Sequence, residues 1–248
     1  MRPIGFSSGA IAYSNFQNAI DLLAPEDITC IELSALRLPE VEPLVNAIGT
    51  LEINKYEYVS FHAPSSFTAE QEQFLVGMLL RIPQSWPIIL HPDTIHDFRL
   101  WRRFGSQLAI ENMDLRKASG RTMEELANVF EELPNALMCF DIGHSRQCDT
   151  SMTQAYRILK KFRERLRQIH ISEVNTASHH DPISFGAKVA FRQVAWLIPS
   201  HIPVIIESRV SGSEIAQEVG RAREALPEYS EVRDTARAEY RIGNSSFD

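Results

Sequence analysis

A single (β/α)8 barrel is the fold class that the 248-residue sequence predicts, and three observations predict it. Short apolar runs rich in Ile, Val, Leu and Phe recur along the chain, as strands covered on both faces require. Segments of helical periodicity separate them, so eight strands alternate with eight helices over residues 3–225. Most of the runs also close on a side chain able to bind a metal. A parallel barrel delivers the C-terminal end of every strand to one face, so these residues converge although the chain separates them widely.

The strands are predicted at 3–7, 28–34, 56–62, 86–91, 107–112, 137–142, 167–172 and 202–207. Helices are expected over 14–24, 40–50, 69–81, 96–104, 122–133, 151–166, 188–198 and 213–225. Phe16, Ala19, Ile20 and Leu23 space the first of these, Thr122 with Glu125 forms a capping box, and Ser213 before Glu214 marks another helix start. A doubly wound open sheet would alternate in the same way, but it advertises a Gly-rich phosphate loop after its first strand, and GFSSGA is a poor one. Its site also gathers at one switch point, whereas the polar endings here run from the second strand to the eighth. No Gly/Ser-rich or Pro-rich linker interrupts the pattern, so 1–227 reads as one barrel domain. Residues 228–248 read as a charged tail, a surface helix or a partly disordered end, and not a separate domain.

A net charge of −7 and a pI near 5.7 argue against a broadly basic nucleic-acid surface, which disfavours duplex DNA as a partner. Cys30, Cys139 and Cys148 form no CxxC pair, and they read as reduced, packed thiols of a cytoplasmic protein. No apolar stretch approaches the length that spans a bilayer. The run RILKKFRERLR over 157–167 resembles a nucleic-acid patch, but Ile158, Phe162 and Leu166 repeat at helical spacing, and an amphipathic outer helix explains it.

The polar endings are His62 in YEYVSFH, His91 in PIILH, Glu111 in QLAIE, Asp141 in LMCFD with His144 after it, His170 in RQIH, and Glu207 in IPVIIE, with Glu32 closing ITCIE earlier. Taken singly, a histidine beside a strand is more often a hydrogen-bonded structural residue than a ligand. Jointly, a buried carboxylate after each strongly apolar run costs several kcal/mol, of the order of ~3, unless a cation or a hydrogen-bond network meets it. Metal binding is the simplest common cause, and the histidines favour zinc.

The motifs SFHAPSS, IILHPD, AIENMD, CFDIGHS, IHISEV, HHDPISFG and VIIES stand at the ends of the expected strands. With them the sequence resembles, over nearly its whole length, the xylose isomerase-like TIM barrels, the superfamily of endonuclease IV and of sugar isomerases and epimerases. The resemblance to endonuclease IV implies two or three zinc ions. His62 and His91 would bind the first, with Glu111 bridging to a second that Asp141, His170 and Glu207 complete, and His144 and His180 would serve a third. That third metal also takes an Asp two residues before the last histidine, where this chain has Ser178, and nearby Asp181 is the candidate substitute. Resemblance to the isomerases implies instead one Mn, Mg or Co ion on Glu111, Asp141, His170 and Glu207. The two glutamates would then move protons between neighbouring carbons and His144 would contact the sugar.

His179 is assigned as a supporting residue or substrate contact, Glu32 at most as a support for a ligand, and Arg37 as a phosphate contact or, more simply, a solvated loop charge. His96 and His201 are assigned to the surface, and Trp86, Trp101 and Trp196 to helix packing. Because a one-metal isomerase does not require His62, His91 and His180, the leading expectation is a multinuclear zinc hydrolase of a phosphate ester or phosphodiester. In it Glu111, Glu207 and His144 stand at the reacting centre and the substrate is a small phosphorylated molecule. The alternatives are a sugar or keto-sugar isomerase or epimerase, and a barrel that binds a ligand without catalysis. Against DNA repair stands the small Ala63-Pro64-Ser65-Ser66 loop, where apurinic endonucleases of the family place bulky wedges.

Overall fold

Side chains alternate along a strand, so every second residue enters the barrel and its neighbours face the helices. A computed structural model of the chain describes residues 1–229. The strands are β1 (Ile4–Ser7), β2 (Cys30–Ser34), β3 (Tyr58–His62), β4 (Ile88–Leu90), β5 (Leu108–Glu111), β6 (Leu137–Asp141), β7 (Leu166–Ile171), β8 (Glu173–Val174), β9 (His180–Asp181) and β10 (Val204–Ile206). Eight of them close in the order β1-β10-β7-β6-β5-β4-β3-β2, every pair parallel. The expected (β/α)8 barrel is therefore the fold observed. β8 and β9 form a small antiparallel hairpin of their own.

The helices are α1 (Ser8–Ala12), α2 (Phe16–Leu23), α3 (Leu38–Ala47), α4 (Ala69–Leu79), α5 (Phe98–Trp101), α6 (Met123–Glu132), α7 (Ile142–Cys148), α8 (Thr153–Phe162), α9 (Phe185–Arg192) and α10 (Ile215–Ala225). Outward strand residues such as Ile31, Leu33, Phe61, Leu90, Ile110, Phe140, Ile169 and Ile206 join one large core with the inner faces of these helices. Each contributes about 1.5–3 kcal/mol by leaving water. On α8 the buried residues include Ile158 and Phe162, so the basic run begins on an amphipathic outer helix, but the helix expected over all of 157–167 stops at Phe162: 163–165 form a 3-10 turn and Leu166 opens β7. Trp101 is buried, while Trp86 and Trp196 pack partly buried against the core.

The inward rows differ from the apolar filling that the strand runs predict. Ile89, Ala109 and Cys139 form a small apolar cluster separate from the main core. Around it stand buried polar side chains that hydrogen-bond to one another. Ser7 Oγ lies 2.7 Å from Ser34 Oγ, Tyr58 OH donates to Gln168 Oε1 at 2.8 Å, and Gln168 Nε2 donates to Glu32 Oε2 at 2.7 Å. Such a network ties these polar side chains together across the barrel interior.

Several boundaries differ from expectation for local reasons. Over 96–104 only α5 is α-helical, because the His96 and Asp97 amides donate to the buried Glu72 carboxylate and Gly105 turns the chain at φ 53. The cap before α10 is Ser211, whose side chain pairs reciprocally with Glu214, and not Ser213. α9 starts earlier than predicted because Ser184 Oγ accepts from the Ala187 amide. α1 and α7 are helices that the periodicity did not announce, each too short to show one. No helix among the described residues is long and apolar enough to cross a membrane. The expected tail lies, from residue 230 onward, outside the described residues.

Candidate metal centre

Strand parity and register bring the polar endings to one level. His62 and Asp141 close β3 and β6, Glu111 closes β5, His170 is the penultimate residue of β7, and His91 and Glu207 follow β4 and β10 directly. Asp141 pairs in register with His170 and Ser34 with His62. His144 reaches the same face from α7, whose first turn Asp141 caps by accepting from the His144 amide at 2.6 Å. His180 arrives on β9.

Glu111 lies at the middle of the cluster and is fully buried. Its Oε2 is 3.1 Å from His62 Nε2 and 3.2 Å from His91 Nε2. Its Oε1 is 3.1 Å from His170 Nδ1 and 3.5 Å from His144 Nδ1. The two oxygens of one carboxylate therefore face two different sets of histidines.

Backbone and side-chain acceptors fix which ring nitrogen is offered. His62 Nδ1–H donates to the Ala63 carbonyl at 2.7 Å, which leaves Nε2 for the centre. His144 Nδ1–H donates to the Asn112 carbonyl at 2.9 Å. His170 Nε2 lies 2.9 Å from Glu32 Oε2, the carboxylate–histidine arrangement that orients metal-ligating imidazoles. Asn112 clamps Asp141 from both sides, accepting from its amide and donating to its carbonyl, each at 2.8 Å.

Among the described residues, four groups bring ligand atoms within mutual reach of one ion: His62, His91 and Glu111; Glu111, Asp141, His170 and Glu207; Asp141, His144 and His180; and Glu32, His62, His170 and Glu207. Whether a cation suits them is tested by what they lack. Buried Asp141 Oδ2, Glu207 Oε2, Glu32 Oε1 and His91 Nδ1 have no hydrogen-bond partner among the described residues, and such orphans are costly without something to meet them. Mixed imidazole and carboxylate donors are those of zinc and related divalent ions. The residues fit a metal.

The protonation pattern agrees. Burial opposes a proton on His62, but the Glu111 hydrogen bond and the Glu32 charge outweigh it and raise the imidazole to about 9. His91, on the same Glu111 oxygen, is held below its ordinary value by burial, since one carboxylate oxygen supports only one of the two protons. Burial, with the repulsion of the neighbouring Glu111, Asp141 and Glu32 carboxylates, holds the Glu207 carboxyl well above the usual range against the pull of His170. Burial also lowers His180 to about 3, helped by the neighbouring His144.

The structure thus brings together His62, His91, Glu111, Asp141, His144, His170, His180 and Glu207. It places Glu32 Oε2 2.9 Å from His170 Nε2. The remaining candidates lie elsewhere. Arg37 is exposed and paired with Glu40 at 2.6 Å, because it caps α3, so its reading as a phosphate contact gives way to the loop charge. His179 is exposed and its amide is held by Asn175 Oδ1. Asp181 is exposed and accepts from Asn175 Nδ2 at 2.8 Å, so it does not replace the carboxylate absent at position 178. Ser178 itself donates to Asp114 Oδ1 at 2.8 Å and accepts from Gln147 Nε2 at 2.8 Å.

Sequence reasoning passed over Asn112, Asp114, Gln168, Ser172 and Lys117. Asn112 and Asp114 stood in view within the motif AIENMD, while Gln168 needed the inward parity of β7. Ser172 Oγ lies 2.8 Å from His180 Nδ1, and Lys117 bridges Asp93 at 2.9 Å and the Ser65 carbonyl.

Fold and cluster together define a parallel barrel with a carboxylate–histidine centre at the C-terminal ends of its strands. The profile of the xylose isomerase-like TIM barrel family matches residues 98–229, and the chain belongs to that family. No curated protein matches it in sequence. Among solved structures it is similar to a putative sugar phosphate isomerase/epimerase from Anabaena variabilis, with TM-score 0.60 and 12% identity over 91% of this chain and 98% of that one. SacUVDE is similar at TM-score 0.60 and 13% identity, covering 92% and 100%. The 3-keto-D-glucoside 4-epimerase YcjR from E. coli is similar at TM-score 0.52 and 14% identity, covering 90% and 97%. At these identities the likeness is one of fold.

Proposed function

We propose that the protein is a metal-dependent hydrolase of phosphate esters or phosphodiesters, with two zinc ions as its cofactor. The observation that carries this reading is the division of Glu111, with His62 and His91 on one oxygen and His170 on the other. A carboxylate so placed is arranged to be shared between two ions, which a one-metal isomerase does not need.

His62, His91 and Glu111 would hold one ion, and Glu111, Asp141, His170 and Glu207 the other. Bound divalent ions supply an acidified water and positive charge against the oxyanions of a phosphoryl transition state. The protein's own part is orientation. Ala63, Glu32 and Asn112 hold His62, His170 and Asp141 in place, so that little reorganisation accompanies reaction. Glu207, at the open edge and 13% exposed at its side chain, is placed to take a proton from water or return it to a leaving oxygen. The smaller group of Asp141, His144 and His180 has no carboxylate from position 178 to complete it, which favours two ions over three.

A second reading rests on the four-residue group Glu111, Asp141, His170 and Glu207, which by itself would serve a one-metal sugar isomerase or epimerase. Elemental analysis of protein purified without chelator separates the two, together with turnover of an activated phosphodiester and of ketoses in deuterium oxide. Two zinc ions per chain and chelator-sensitive phosphodiester cleavage are expected. One ion with solvent deuterium entering a ketose carbon would sink the hydrolase reading.

Zinc loading carries a pH signature. The ligand form of histidine is neutral, whereas His62 is held up at about 9 and His170 well above its ordinary value against burial, by surrounding anionic groups that include Glu207 and Glu32. Each must therefore lose its proton to bind, so zinc affinity rises with pH through the neutral range and the His62 contribution levels off above about 9. Loss of the His62 and His170 protons releases roughly two protons per chain at pH 7, and the raised Glu207 carboxyl adds to that release. Calorimetry of zinc binding in buffers of different ionisation enthalpy measures the release directly, and no buffer dependence would contradict this assignment.

A further inference from the structure

The loops that follow the barrel strands carry few cations, and nearly all are already neutralised. Arg37, Arg116, Lys117, Arg121 and Arg146 are each ion-paired with a carboxylate. Arg209 differs. It lies two residues beyond Glu207, is exposed, and among the described residues no carboxylate pairs with it. Its backbone amide donates to the His180 carbonyl at 3.1 Å, which ties it to the edge of the metal cluster, and its charge is felt at the His180 ring.

Its guanidinium instead lies over the ring of Tyr13, 5.6 Å from the centroid. Tyr13 follows α1, beyond the end of β1, and is 58% exposed. It is held at φ 53, a conformation that costs a non-glycine residue strain and collects at functional sites. An aromatic face can brace a guanidinium without consuming its N–H donors, which remain in their planar fork. The cluster beside it holds Glu32, Glu111, Asp141 and Glu207, so an anionic substrate approaching that side needs a cation outside the ligand set.

We infer that Arg209, braced on Tyr13, is the specificity-determining residue that recognises the phosphoryl group of the substrate on the His180 side of the centre. The inference rests on the phosphate-ester reading above and names the residue that selects for the anion. Arg209 offers two parallel N–H groups, the geometry that suits phosphate oxygens, and a lysine there would supply charge without the fork.

The test titrates inorganic phosphate into the full chain by calorimetry at low salt, with the metal content of every sample measured separately. The variants are Arg209→Ala, Arg209→Lys, Tyr13→Phe and Tyr13→Ala. Arg209→Ala is expected to weaken phosphate binding about tenfold, the scale of a lost charge-assisted pair, with metal content and melting temperature unchanged. Arg209→Lys and Tyr13→Ala should fall between it and the wild type, Tyr13→Phe should match the wild type, and the salt dependence of binding should flatten in Arg209→Ala. Unchanged phosphate affinity in Arg209→Ala, or no phosphate binding by the wild type, overturns the inference. A wild type that holds no metal but loses phosphate affinity on Arg209→Ala overturns the two-ion reading and leaves this one standing.

Discussion

Glu111→Gln is expected to abolish the proposed two-ion centre while leaving the barrel folded. The amide keeps the volume and one acceptor oxygen but loses the charge, and its NH2 must face either His62 and His91 or His170. Those histidines lie about the carboxylate at 3.1 to 3.2 Å, so one set meets a donor where a ligand atom stood. Residues that only support ligands change metal affinity by about 10–100-fold, and a shared ligand should exceed the upper end of that range. Zinc per chain by elemental analysis should fall below one, and phosphodiester turnover by more than ~100-fold. Circular dichroism checks the fold. Full zinc content with intact turnover would falsify the assignment of Glu111 as the shared ligand.

Gly5→Ala is expected to produce the largest loss of stability of any single methyl group added to the barrel. Gly5 pairs with Cys30 across the β1–β2 ladder, and a Cβ there would lie 1.7 Å from the Cys30 carbonyl oxygen and 2.4 Å from its carbon. Both are backbone atoms of a neighbouring strand, so no side chain can rotate away and the barrel wall itself must shift. Overpacking a core costs typically 1–3 kcal/mol and sometimes more, and a backbone clash belongs at or beyond ~3 kcal/mol. Domains of this kind hold only about 5–15 kcal/mol in all. Urea denaturation would show it, with Gly49→Ala as the control, because a Cβ at Gly49 meets nothing within 4 Å. Equal midpoints for the two variants would refute the clash.

The eight strands were legible because each is a short apolar run whose outward residues enter one core, and because the ring leaves no edge strand to read differently. His62, Glu111, Asp141, His170 and Glu207 were legible for a related reason. A charged or ligating group at the end of an apolar run is costly unless something meets it, and the run makes it conspicuous. What stayed hidden depends on register and on short local structure. The role of Gln168 needs the inward parity of β7, which sets it against Glu32 and His170. α7 has too few residues for periodicity, although it carries His144. The engagement of Ser178 with Asp114, and of Arg209 with Tyr13, joins positions 64 residues apart in one case and opposite ends of the chain in the other. No local pattern announces either.

The polar column inside the barrel has a consequence for the life of the protein. Tyr58, Gln168, Glu32 and His170 run in contact up to the centre, so the cation would complete the same interior that closes the ring. Ligand binding to the native state alone adds stability in proportion to RT ln(1 + [L]/Kd). A chain starved of metal would then not accumulate as an idle, well-folded pool awaiting its ion. It would be the population most open to proteases, and the cell's stock of the protein would follow its supply of metal.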